Sequence, residues 1–222
     1  MSQTETKTLV IDSVQLDFGQ NTVLKSAYVT AQSGRITGVL GRNGTGKSCL
    51  FKCIMGGIRP QNKYIRLNGE PKTDYGHIGL HVKYLPQEHF IPRGMTMDKA
   101  FQLNGVDYAK LIEFDEKFER YRHSKSRELS GGDCRIAEIV MILNTDADFC
   151  ILDEPFSNIM PVYDARIRQL IEEQKSHKGI IVTDHLYEQI LGLADDIYLL
   201  RDGFTHQIHS REDIVRLGYI RQ

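Results

Sequence analysis

The run Gly41-Arg42-Asn43-Gly44-Thr45-Gly46-Lys47-Ser48 holds the residue types that a phosphate cradle needs. Glycines let the backbone turn tightly enough for several N–H groups to converge on phosphate oxygens, and the positive end of a following helix adds to them. Lys47 is placed to reach β- and γ-phosphates, and the Ser48 hydroxyl to bind Mg²⁺. Every constrained position of GxxxxGK[ST] is filled, with an apolar run (35–41) before the loop and an apolar helix (49–55) after it. Nucleotide binding is therefore predicted, with Gly41, Asn43, Gly44, Thr45, Gly46, Lys47, Ser48 and Cys49 as the candidate ATP contacts.

Phe149-Cys150-Ile151-Leu152-Asp153-Glu154-Pro155 reads as a buried strand ending in two carboxylates. Asp153 would hold the magnesium ion, directly or through water, and Glu154 could polarise the attacking water as a general base. A solvated surface turn is the alternative for a lone Asp-Glu pair; four apolar residues before it and a phosphate loop upstream argue against that. Ser130, Gly131 and Gly132 precede a helix, so their N–H groups and the serine hydroxyl make a second anion site. One molecule cannot fill both anion sites with the same phosphate.

The elements that must position these residues alternate. Thr8–Phe18, 27–31, 35–41, 64–69 and 81–85 read as strands, with Gln32-Ser33-Gly34 as a turn. From Glu88 to about Leu129 the texture becomes helical, with 97–103 and 108–121 the helix-compatible stretches. Helix 133–143, strand 149–152, helix 163–173, strand 179–182, helix 187–193 and a hairpin-like end follow. This order predicts an α/β fold, a phosphate-loop core of mostly parallel sheet flanked by helices. An antiparallel N-terminal β-subdomain and a small helical insertion complete it. The chain divides as one domain, 1–222, with the core and β-subdomain in 1–87 and 131–222 and the helical part in 88–130.

Composition bounds the partners. The 222 residues are 41% hydrophobic and 26% charged, which excludes disorder as the main state. A net charge of −1 gives no electrostatic case for nucleic acid. The longest apolar run, Ile139–Leu143, is five residues, against the roughly 18 to 20 of a membrane span, and the polar start has no signal-peptide core. A cytoplasmic location is expected unless a partner carries the chain to a membrane. The four cysteines form no CxxC pair, and Cys49 and Cys53 read as small hydrophobes of a buried helix. No HExxH occurs, and the pairs His77/His81 and His206/His209 read as surface or strand residues, so zinc is not expected.

Leu129-Ser130-Gly131-Gly132-Asp133, Leu85-Pro86-Gln87-Glu88 and Thr183-Asp184-His185, in order with the two motifs above, make the sequence resemble the ATP-binding cassette (ABC) ATPase family over essentially its whole length. The resemblance implies an ATPase using Mg²⁺. Phe18 is placed like the family's adenine-stacking aromatic, a core position of the first strand being the alternative. Gln87, like Ser48 and Asp153, would serve the metal, and its amide could also reach the attacking water; a merely hydrogen-bonded glutamine is the alternative. His185 would hydrogen-bond the γ-phosphate or the water, so that Glu154, His185 and Gln87 form the catalytic set. Ser130, Gly131 and Gly132 would contact the ATP of a second ABC subunit, giving a head-to-tail homo- or heterodimer around two nucleotides. Its motion would drive separate transmembrane subunits from the cytoplasmic face of the inner membrane. YLPQE (84–88), LDEPF (152–156) and VTDH (182–185) look like the lipopolysaccharide-export and branched-chain amino-acid transporter ATPases.

Three features depart from that pattern. Asp133, followed by Cys134, stands where the signature ends in Gln or Glu; Met160 stands where an aspartate usually links the two sites; and the stretch from Gln87 to Ser130 is short. A module that binds ATP and dimerises but hydrolyses weakly, in a regulatory or assembly role, is the second reading.

Overall fold

Residues 6–185 and 187–220 are described by a computed structural model. β1 (Thr8–Phe18) and β2 (Asn21–Gln32) pair antiparallel, and β1 also pairs antiparallel with β4 (Asn62–Leu67). Between them come β3 (Ile36–Leu40) and α1 (Lys47–Ile54). After β4 follow β5 (Glu70–Pro71), α2 (Tyr75–His81) and β6 (Val82–Leu85). The segment to Ser130 holds only helical elements among its regular structure: α3 (Met97–Leu103), α4 (Ala109–Phe114) and short 3₁₀ turns. α5 (Gly131–Leu143), β7 (Phe149–Asp153), α6 (Asp164–Lys175), β8 (Gly179–Asp184) and α7 (Tyr187–Leu191) alternate. The antiparallel pair β9 (Asp196–Arg201) and β10 (Phe204–Ile208) and helix α8 (Arg211–Arg216) complete the order.

One ten-stranded sheet runs β5-β4-β1-β2-β10-β9-β3-β8-β7-β6. The strands β3, β7 and β8 are buried at every position, as strands covered on both faces must be. Their side chains alternate between two cores. Leu40, Leu152 and Val182 pack on the side of α5 and α6, while Val39, Ile151 and Ile181 pack with Leu50 and Phe51 of α1.

Three local features differ from the sequence reading. Residues 108–121 do not form one helix: Asp115 is extended (φ −159°) and caps the next turn at Lys117 N–H. The His77/His81 pair, read from the sequence as surface or strand residues with a strand beginning at 81, lies instead on a helix, α2, which starts where Asp74 accepts from the N–H groups of Gly76 and His77. β2 also starts at Asn21, well before the predicted run.

Candidate functional site

The parallel register brings the chemistry-bearing loops to one edge. Leu85 pairs with Leu152, Asp153 with Thr183 and Leu40 with Asp184. The carboxyl ends of β3, β6, β7 and β8 therefore lie side by side, where open α/β sheets bind ligands.

The loop after β3 winds into the first turn of α1. Gly46 has φ +102°, and a Cβ there would stand 2.8 Å from Val23 Cγ1. Only glycine fits that combination of left-handed backbone and close approach. Lys47 is buried; its Nζ donates to the Gly41 carbonyl at 2.7 Å and lies 3.9 Å from Glu154 Oε1. Burial lowers its pKa, opposed by the nearby Glu154, Asp153 and Asp184 carboxylates.

A cavity of about 420 Å³ is lined by Asn43–Cys49, Val23, Gln87 and Glu154. Four separate stretches of sequence thus share one pocket. Gln87 Nε2 donates to Glu154 Oε2 at 3.0 Å, and His185 Nδ1 lies 3.6 Å from the same oxygen. Glu154 is held in the left-handed region, φ +49°, with its N–H donating to the Thr183 carbonyl at 3.1 Å. Non-glycine residues in that region are strained and cluster at functional sites. Behind it Asp153 is fully buried, accepting from Tyr84 Oη at 2.9 Å and Thr183 Oγ1 at 2.7 Å. Burial, then the Asp153 charge, pushes the Tyr84 hydroxyl far above the ordinary tyrosine range.

Mg²⁺ takes oxygen ligands, and the Ser48 hydroxyl, Asp153 carboxylate and Gln87 amide oxygen are all of that kind. Because Gln87 spends its amide nitrogen on Glu154, its oxygen is left as the acceptor end. A carboxylate has about four lone-pair sites, so Asp153 retains capacity beyond its two hydroxyl partners. The donor set fits the ion.

Ser130 caps α5: its Oγ accepts from Asp133 N–H at 3.1 Å and donates to Asp133 Oδ2 at 2.9 Å. Asp133 thus completes a reciprocal cap despite being shorter than Gln or Glu. Ser130 and Gly131 are exposed, and neither they nor Gly132 line the phosphate-loop cavity. Phe18, 52% exposed at the end of β1, is not a core residue, and it lies outside that cavity lining too. His185 and Asp184 line a neighbouring cleft with Asn158.

The family model described as "ABC transporter" matches residues 24–157. The chain belongs to the ABC transporter family. An uncharacterized ABC transporter ATP-binding protein of Rhizobium meliloti is 32% identical to it, over 95% of this chain and 85% of its own length. The lipopolysaccharide export system ATP-binding protein LptB of Acidithiobacillus ferridurans is 30% identical over 96% and 95%. A solved ATP-binding subunit of an ABC transporter shares the fold with a TM-score of 0.82 at 23% identity, covering 95% of this chain and 92% of that one.

In this ABC protein, contacts that sequence reasoning missed support the acidic strand. Arg135, 2% exposed, donates to the carbonyls of Pro86 (2.5 Å), Asp153 (2.7 Å) and Glu154 (3.1 Å). One guanidinium from α5 thus clamps the glutamine loop and both acidic residues. Burial lowers its pKa, with Glu138 the first of the acids opposing that. The one sequence signal for it was a charge amid apolar neighbours on a helix. Tyr219 Oη donates to the His185 carbonyl at 3.0 Å, a contact with no sequence signature.

Proposed function

We propose that this ABC family member is the ATP-binding and ATP-hydrolysing subunit of a transporter, closing head-to-tail with a second ABC subunit around two Mg-ATP. The single observation that carries the reading is the shared pocket: phosphate loop, Gln87 and Glu154 line one cavity, with His185 in reach of Glu154.

On this reading the loop N–H groups and Lys47 bind the β- and γ-phosphates, the ammonium exchanging the Gly41 carbonyl for phosphate oxygen. Phe18 stacks on the adenine. Bound Mg²⁺, held by Ser48, Asp153 and Gln87, would neutralise charge developing on the phosphates. Glu154 accepts the proton of the attacking water, Gln87 fixes the carboxylate through its amide N–H, and His185 orients water or γ-phosphate. The exposed turn Ser130-Gly131-Gly132 serves the partner's nucleotide, and segment 88–130 forms the helical subdomain that carries it.

Among the described residues no helix is long and apolar enough to cross a membrane. Separate transmembrane subunits would therefore carry the cargo, with this subunit docked on them at the cytoplasmic face of the inner membrane. The LptB relatives are named for lipopolysaccharide export, which makes an exported lipid one candidate cargo class. Met160, 59% exposed in the loop after the acidic strand, favours the second reading, an ATP-gated regulatory or assembly module with weak hydrolysis.

The test is phosphate release as a function of protein concentration, with Glu154→Gln as control. Activity rising more steeply than linearly and lost in the variant supports a hydrolysing dimer. Tight ATP binding with no turnover at any concentration sinks it in favour of the second reading.

A further inference from the structure

Beside the glutamine loop lies a cluster that nucleotide chemistry leaves unused. His89 follows β6, while Cys134 and Glu138 stand four residues apart on α5 and so share a face. One potential ligand atom from each lies within 4.8 Å of the others. Glu138 is fully buried. Its Oε1 accepts from the N–H groups of Phe90 at 2.9 Å and Ile91 at 3.3 Å, and its Oε2 lies 3.0 Å from His89 Nδ1. Cys134 Sγ is 3.9 Å from Glu138 Oε1.

We propose that His89, Cys134 and Glu138 form a binding site for a divalent cation of the zinc class.

The donor set selects the ion. Imidazole nitrogen with thiolate sulfur suits Zn²⁺ and its borderline neighbours, whereas Mg²⁺ and Ca²⁺ want oxygen throughout. Zinc–ligand bonds of about 2.0–2.3 Å put donors roughly 3.5 Å apart around the ion, so the cluster must tighten by about 1 Å. The His89 side chain, 47% exposed, has the freedom to make that movement. The same exposure gives an entry path and a water in the fourth position. Glu138 can keep its two backbone N–H bonds and still ligate, because a carboxylate has about four lone-pair sites. Arg135 lies 3.9 Å from Glu138 Oε2, and its charge opposes a bound cation and weakens the site. On binding, the Cys134 S–H proton leaves to solvent as the metal–sulfur bond forms, with no change of oxidation state.

The position gives the site a consequence. His89 Nε2 lies 3.7 Å from where a Cβ on Gly131 would stand. A bound cation would therefore fasten the glutamine loop to the helix whose first turn is Ser130-Gly131-Gly132. Zinc binding stands apart from hydrolysis and can fail without it.

The full chain, stripped with chelator and free of nucleotide, is titrated with Zn²⁺ against a chromophoric competitor and then with Co²⁺. One zinc per chain and a thiolate-to-cobalt charge-transfer band are expected. His89→Ala should weaken zinc binding by more than about tenfold, and Cys134→Ser should abolish the cobalt band. His77→Ala on α2 should change neither. Circular dichroism checks that the variants fold, and His89, at the surface, keeps the test open if Cys134→Ser does not. Absence of saturable binding overturns the proposal, as does binding that survives His89→Ala, or a cobalt complex without a Cys134-dependent sulfur band.

Discussion

Gln87 Nε2 lies 3.0 Å from Glu154 Oε2, an amide from beyond β6 touching a carboxylate from beyond β7. The sheet delivers this contact. Leu85 and Leu152 are register partners, and each functional residue stands the same short distance past its leucine. Pairing the strands therefore brings amide and carboxylate together.

Replacing that amide with an acid tests the relationship. In Gln87→Glu two carboxylates would face each other at contact distance, and like charges that close hold a shared proton. On the proposed mechanism Glu154 works as a base only when ionised, so the acid limb of the turnover profile should move to higher pH. Turnover at pH 7 should fall by about tenfold or more. Gln87→Ala, which removes one hydrogen bond to the ionised carboxylate, should lower turnover and move the limb in the same direction by less. Superimposable pH profiles for Gln87→Glu and wild type would separate Gln87 from the function of Glu154.

Lys47 is where binding and stability oppose each other. Burial lowers its folded pKa below the ordinary 10.5, though Glu154, Asp153 and Asp184 oppose this. Between the lowered value and 10.5 the unfolded chain binds more protons, so this group's contribution to stability rises with pH there. At neutral pH the cost of burying the charge is fully present. Lys47→Met should abolish ATP binding yet change unfolding free energy by less than about 1 kcal/mol. Wild type should then gain stability relative to the variant as pH climbs toward 10.5. Denaturant titrations at several pH values check this; curves that stay parallel across that range refute the buried-charge account.

Tyr219 ties the segment after α8 to the loop of His185 through the 3.0 Å bond to its carbonyl. Burial pushes its hydroxyl above the usual tyrosine range. Tyr219→Phe keeps the ring and removes the hydroxyl's bonds to the His185 carbonyl and the Gly41 backbone, at a cost of about 1 kcal/mol. Turnover should fall, with a smaller loss of ATP affinity, since Gly41 opens the phosphate loop. Denaturation and separate kcat and KM measurements read the two effects, and a change confined to KM would assign Tyr219 to nucleotide binding instead.

What was legible in the sequence was local. The loop Gly41–Ser48 and the apolar run into Asp153 declare themselves by residue type over a few positions, and period-two and period-3.6 patterns place the strands and helices around them. What was hidden depends on tertiary contact. Arg135 reaches three carbonyls, one at the glutamine loop and two at the end of β7, and no spacing announces that. His89 meets Cys134 and Glu138 only because α5 packs beside the chain leaving β6. The helix α2 hid for another reason: Gly76 and Gly79 are poor helix formers, and the Asp74 cap alone is a weak signal. The break at Asp115 was missed because its carboxylate has two partners, Lys117 N–H and Tyr163 Oη, and the second comes from far along the chain.

Met160 offers the cleanest separation of the two functional readings. It is 59% exposed, so it contributes little to the core, and a polar substitution there should shift stability by no more than about 0.5 kcal/mol. Its loop is close to the signature turn: the Asn158 carbonyl oxygen lies 3.3 Å from where a Cβ on Gly132 would stand. Asn158 itself sits in the left-handed region, φ +62°, so the loop is sharply bent there. The family resemblance puts an aspartate at position 160, where a carboxylate could accept hydrogen bonds across the proposed dimer and a thioether cannot match it. Met160→Asp should therefore leave the melting temperature and ATP affinity as they are and raise turnover per site at saturating ATP. A variant with wild-type turnover would mean that this position does not limit the reaction. A variant that gains activity would place the limit on native turnover in the coupling between sites, and a native rate near zero beside it would favour the weakly hydrolysing module.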